Sequence, residues 1–231
     1  MHEAMLDVDL GEAGRARVFD AYSIDLGKET SVFYGSRSRE PTGHPPCVAL
    51  PQPTRCPIAR LLSHMYVVNQ YSSATTDARF LRFRLPEGHR IVEWDVPAGT
   101  KVLLSMGHLI GFSGSIRLST IVSLQLTSMA LGHMFFHMAE GPGKLLFECQ
   151  GSPEVVSSAE EISSFSSMRL IACTHDSLFH LTGSKRVQDI YFSYLYLRAW
   201  QTRGIVIDAD TGSSKRSGSL LRMLRRLYLP R

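Results

Sequence analysis

At 231 residues the chain is long enough to bury a real core, as one large domain or two small ones, and its 44% hydrophobic and 20% charged residues exclude disorder of the whole. The net charge of +4 is local: six of the 25 basic residues and none of the 21 acidic ones fall between Ser213 and Arg231, leaving 19 basic residues elsewhere. That balance argues against a broad nucleic-acid-binding face, and four cysteines (47, 56, 149 and 173) are too few for a disulfide scaffold.

The N-terminus, Met-His-Glu-Ala-Met-Leu-Asp-Val-Asp, has no basic stretch followed by an apolar core and reads as no signal peptide. Strands are predicted around Ala16 to Ile24 and Ser31 to Tyr34. Residues 41 to 57 hold six prolines, which deny the segment regular helix or a central strand and make it a long loop. Pro57 to His64 has the pattern of a short helix. We therefore divide the chain into an N-terminal segment (1–60), a β domain (61–207) and a polar loop with a basic helix (208–231).

From Met65 onward the hydrophobic period is two. Leu81, Phe83 and Leu85 oppose Phe80, Arg82 and Arg84; Val92, Trp94 and Val96 oppose Ile91, Glu93 and Asp95. These two runs, joined by the turn Pro86-Glu87-Gly88, predict a half-buried antiparallel pair. Further strands are predicted at Lys101 to Ser105, Leu109 to Phe112, Ile116 to Leu118, Val122 to Thr127, His133 to Met138, Lys144 to Cys149, Met168 to Cys173 and Leu178 to Leu181. Many short strands indicate a mainly all-β chain, a compact antiparallel barrel or sandwich. Leu170-Ile171-Ala172-Cys173 echoes Leu109-Ile110-Gly111-Phe112, which implies two similar halves. Residues 118 to 139 carry no Asp, Glu, Lys or Arg, yet Ser119, Thr120, Ser123, Gln125, Thr127, Ser128, His133 and His137 speak against a membrane span. Val187 to Trp200 fits strand or helix. Ser219 to Tyr228 reads as an amphipathic helix, with Leu220, Leu221, Met223, Leu224 and Leu227 opposite Arg222, Arg225 and Arg226.

The succession Val96-Pro97-Ala98-Gly99-Thr100-Lys101-Val102-Leu103-Leu104, Gly107-His108-Leu109-Ile110-Gly111-Phe112, Met134-Phe135-Phe136 and Glu140-Gly141-Pro142-Gly143-Lys144-Leu145-Leu146 resembles the altered-inheritance-of-mitochondria family, over about residues 65 to 182. The resemblance implies a β fold like that of the tryptophan RNA-binding attenuation protein, two similar halves, homo-oligomers and no known catalytic residues. For mitochondrial members it implies a role in inner-membrane organisation. Residues 1 to 60 and the aromatic run 191 to 200 lie outside the likeness.

No catalytic residue and no cofactor is assigned. His133 and His137 share a strand face, and with His175 and His180 they are the candidate ligands of a histidine-lined metal site, although the close-spaced His-x-His of cupin-type barrels is absent. His44, Cys47, Cys56 and His64 lack the tight pairing of a zinc knuckle. Gly111-Phe112-Ser113-Gly114-Ser115 is no nucleophile elbow, and Glu140-Gly141-Pro142-Gly143 reads as a β-turn rather than a phosphate loop. Leu220, Leu224, Leu227, Arg222, Arg225 and Arg226 form the expected surface toward an anionic membrane or a protein partner. The expectation is a non-enzymatic scaffold or interaction protein, homo-oligomeric, cytoplasmic and at most peripheral to a membrane. The alternatives are a histidine-lined metal enzyme or binder and, by fold analogy alone, RNA binding.

Overall fold

The structure is a computed structural model and describes residues 4–25, 33–35, 47–49, 68–71, 80–83, 85–105, 108–122, 135–158, 164–166, 169–182 and 196–209. The alternating runs become strands, and every pairing among the described residues is antiparallel, so the chain is all-β. In chain order the first eight are β1 (Leu6–Asp9), β2 (Arg15–Phe19), β3 (Tyr22–Asp25), β4 (Phe33–Gly35), β5 (Cys47–Ala49), β6 (Val68–Tyr71), β7 (Phe80–Phe83) and β8 (His89–Val96). Then come β9 (Lys101–Leu104), β10 (Leu109–Gly114), β11 (Arg117–Val122), β12 (Phe135–Glu140), β13 (Gly143–Gln150) and β14 (Glu154–Val156). The last are β15 (Phe165–Ser166), β16 (Leu170–Thr174), β17 (Leu178–Thr182), β18 (Tyr196–Gln201) and β19 (Ile205–Ile207).

Two large sheets form a sandwich. One has the order β1-β2-β8-β13-β10-β4-β6-β5, the other β11-β12-β9-β16-β19-β14. Their centres are interlocked. The neighbours β8-β13-β10 in the first become β12-β9-β16 in the second when β8 is exchanged with β12, β9 with β13 and β10 with β16. This is the duplication implied by the echoed tetrapeptides, which are the first residues of β10 and β16. Both strands are irregular at the same step, Leu109 to Gly111 against β13 and Leu170 to Ala172 against β19.

Each half crosses between sheets at one of the glycine-proline connections, Pro97 to Thr100 or Gly141-Pro142, and the two connections touch. The Gly141 N–H donates to the Thr100 carbonyl at 3.1 Å, and a Cβ on Gly141 would stand 2.3 Å from the Pro97 carbonyl oxygen. Only glycine allows the backbones to approach this closely.

The main core lies between the two sheets: Val92, Trp94, Val96, Val102, Leu104, Leu145, Phe147 and Ala172 are all buried. Each large side chain there contributes about 1.5–3 kcal/mol by leaving water. The Trp94 indole N–H donates to the Ala13 carbonyl at 2.9 Å, which ties the first strands to the core. Each large sheet is also covered on its outer face. The β3–β7 pair lays Tyr22, Ile24, Leu81 and Phe83 on Ile91, Ile110 and Leu146 of the eight-stranded sheet. The sheet β15-β18-β17 lays Phe165, Leu197 and Ala199 on Cys173, Ile205 and Ile207 of the six-stranded one.

The four layers correct two expectations. The turn at Pro86 exists, with the His89 N–H donating to the Pro86 carbonyl at 3.1 Å, but the strands it joins do not pair. β7 pairs with β3 in the cover, and β8 pairs with β2 and β13 beneath it. For the same reason β8 is not half-buried: Ile91 and Glu93 lie under the cover and are as buried as Val92 and Trp94. The undecided run before Trp200 contains a strand, β18. The described residues between 118 and 139 are all strand, in β11 and β12, and no helix among the described residues is long and apolar enough to cross a membrane. The predicted helices at Pro57 to His64 and Ser219 to Tyr228 lie outside the described residues. The first 25 residues supply β1, β2 and β3, two of which extend the eight-stranded sheet.

Candidate functional site

Among the described residues, three groupings of polar or aromatic side chains are candidates for a site. The first is buried. Glu93 on β8 faces the β3–β7 cover, with its carboxylate 4% exposed. Arg17 on β2 donates to its Oε1 at 3.1 Å, the Tyr22 hydroxyl donates to its Oε2, and the Lys144 ammonium stands 3.8 Å from Oε2. Arg17 also lies 3.6 Å from Asp7 on the edge strand β1. A carboxylate this well supplied with donors and cations is a lock between three strands and the cover.

The second place is a depression of about 220 Å³ where the β8–β9 connection meets the turn before β17 and the turn after β18. It is lined by Glu12, Thr100, Lys101, Thr174, His175, Asp176 and Arg203 among others. Arg203 is its centre, bonded to the Glu12 carboxylate and 2.9 Å from Asp176. Below it the hydroxyls of Thr174, Ser177 and Thr202 form a chain with links of 2.9 and 2.8 Å. Both carboxylates here are paired with Arg203. The site reads as a joint that fastens the N-terminal turn to the second half.

The third place is exposed. Strand β18 alternates buried and exposed residues, with Leu197 and Ala199 facing the core and Tyr196, Arg198 and Trp200 facing out. Tyr196 is 49% and Trp200 68% exposed, and Leu178 on β17 is 54% exposed. His180 lies directly across from Arg198 in the ladder, and its ring meets the Trp200 ring edge-on at 5.0 Å between centroids. Large apolar groups concentrated on one face mark a contact surface more often than chance exposure does.

Of the four histidines that are metal candidates, the three among the described residues are dispersed. His137 is buried in β12, His175 sits at the turn after β16, and His180 is on the outermost layer. His133 lies outside the described residues, as do His44, Cys56 and His64, while Cys47 begins β5. No three His, Cys, Asp or Glu side chains converge on a point among the described residues. The C-terminal surface of Leu220, Leu224, Leu227, Arg222, Arg225 and Arg226 also lies outside them. Cys149 and Cys173 are buried and free. Burial pushes the Cys173 thiol up to about 12 and the Cys149 thiol up as well, so neither is a nucleophile near neutral pH. The outer face of β17 and β18 escaped the sequence reading because the run 187 to 200 had no decisive period. Its signal, Tyr196-Leu197-Arg198-Ala199-Trp200, is visible once a strand is assumed.

These features define the class: a four-layer antiparallel β protein in which the charge clusters around Glu93 and Arg203 serve its own joints and the sheet β15-β18-β17 presents an aromatic and cationic face. No family model and no curated protein matches the chain. A crystal structure of protein SPYM3_0169 from Streptococcus pyogenes is similar to it, at 12% sequence identity and a TM-score of 0.52, over 90% of this chain and 93% of that one. At that identity the likeness is one of fold.

Proposed function

We propose that this protein is a non-enzymatic scaffold or interaction protein that works as a homo-oligomer. The observation that carries the reading is the exposed face formed by Leu178, His180, Tyr196, Arg198 and Trp200. It sits on a rigid sandwich, and rigid strands hold a contact surface more firmly than loops do. Membership of the altered-inheritance-of-mitochondria family is part of the same proposal. It is supported by the place its likeness occupies: the Val96-Pro97-Ala98-Gly99 and Glu140-Gly141-Pro142-Gly143 blocks bracket the two sheet crossings. Self-association is supported by the edges. β1 and β14 end their sheets among the described residues, and Met5 and Leu6 beside the first edge are 55% and 42% exposed. A cytoplasmic site, with contact to an anionic membrane through Arg222, Arg225 and Arg226, completes the proposal. Multi-angle light scattering at micromolar concentration tests it. A mass above one chain, falling on dilution, is expected; a strictly monomeric mass defeats the oligomer.

A further inference from the structure

Resting on that interaction reading, we infer that the outer face of β17 and β18 binds single-stranded nucleic acid, with Tyr196, Arg198 and Trp200 as a ladder of three planar groups. The three side chains alternate outward along one strand. At a rise of about 3.3 Å per residue they stand roughly 6.6 Å apart. That step suits an extended nucleic-acid strand, in which one base can rest on each plane. Tyrosine, tryptophan and the guanidinium of arginine are the groups on which unpaired bases stack.

The neighbouring residues favour this occupant over others. His180, edge-on to Trp200 at 5.0 Å, braces the indole and adds a ring nitrogen beside Arg198. No Asp or Glu occurs in β15, β17 or β18, so a phosphate chain crossing the face meets Arg198 and no carboxylate on these strands. Asp176, in the turn before β17, is held 2.9 Å from Arg203. An apolar protein partner would have to bury the Arg198 guanidinium, in the middle of the patch, without a counter-charge. An acidic peptide supplies the charge but no planar groups for Tyr196 and Trp200.

The chain's two tryptophans make a direct test, because Trp94 is fully buried and Trp200 is exposed. The full-length protein is titrated with oligo-dT and oligo-U of fifteen nucleotides, following tryptophan emission and, with a labelled strand, anisotropy. Saturable binding that quenches Trp200 emission and weakens as salt rises is expected. Trp200→Ala and Arg198→Gln should each weaken binding about ten- to a hundred-fold, Trp200→Phe should retain most of it, and Phe80→Ala, on the opposite cover layer, should leave it unchanged. Binding that persists in Trp200→Ala and Arg198→Gln places the nucleic acid elsewhere and overturns the inference. So does the absence of binding, or equal displacement by poly-aspartate at equal charge. Light scattering on the same samples separates the two claims: a wild-type protein that is oligomeric but binds neither oligonucleotide defeats this inference alone.

Discussion

Replacing Glu93 by glutamine tests whether the cover layer is locked electrostatically. Glutamine keeps the volume of the side chain and an oxygen for the Tyr22 hydroxyl but removes the charge faced by Arg17 at 3.1 Å and Lys144 at 3.8 Å. Breaking a fully buried ion pair costs about 3–5 kcal/mol, chiefly through the charge left behind. Here the cations have an escape, since the Arg17 and Lys144 side chains are 31% and 29% exposed and can turn toward water. The cost should therefore fall to about 2 kcal/mol. In a chain of this size that lowers the melting temperature by roughly 4–8 °C. Urea unfolding of the wild type, Glu93→Gln, Arg17→Met and the double variant measures the coupling directly, expected at about 1 kcal/mol. A single variant within about 0.5 kcal/mol of wild type, or a cycle that is additive, would refute the lock.

Further outcomes follow from the core and the joints. Trp94→Ala should cost about 3–5 kcal/mol by cavity formation, and Trp94→Phe should also destabilise because the Ala13 carbonyl loses its indole donor; chemical denaturation checks both. Arg203→Ala should cost under about 1 kcal/mol despite two carboxylate partners, because the pairs are exposed, and a larger loss in thermal unfolding would give the joint a bigger role. Cys149 and Cys173 should resist a thiol reagent in the native protein at neutral pH and react on unfolding. Because burial raises the folded thiols above their unfolded value of 9.0, the stability they favour is complete below that pH and is lost as pH rises from 9 toward about 12 for Cys173. A melting temperature flat from pH 8 to 11 would contradict this.

Most strands were legible because their alternation survives one-sided burial, as in β7, where Leu81 and Phe83 point in and Phe80 and Arg82 point out. The duplication was legible too, through two tetrapeptides that form equivalent central strands. What failed was pairing. A turn at Pro86 suggests a hairpin, but local sequence does not say that β3 and β2 compete for the two strands, and those contacts are 50 or more residues distant. Glu93 misled for a related reason: its charge reads as a solvent face unless Arg17, Tyr22 and Lys144 are known to surround it. Strand parity groups only His133 with His137, and neither it nor the neighbourhood of His175 and His180 in sequence shows that His137 and His180 belong to different layers. The exposed face of β18 was hidden because Tyr, Leu and Trp read as core in either period, and only Arg198 interrupts them.

The most direct test of the central claim is hydroxyl-radical footprinting of the protein in extracts of its own cells and after purification to homogeneity. If the outermost sheet is the working surface, Trp200 and Tyr196 should be oxidised several-fold more slowly in the extract, while Phe80 and Met5, exposed on other faces, react equally in both. Equal oxidation of Trp200 in the two samples would mean that nothing occupies this face in the cell, and would contradict the account.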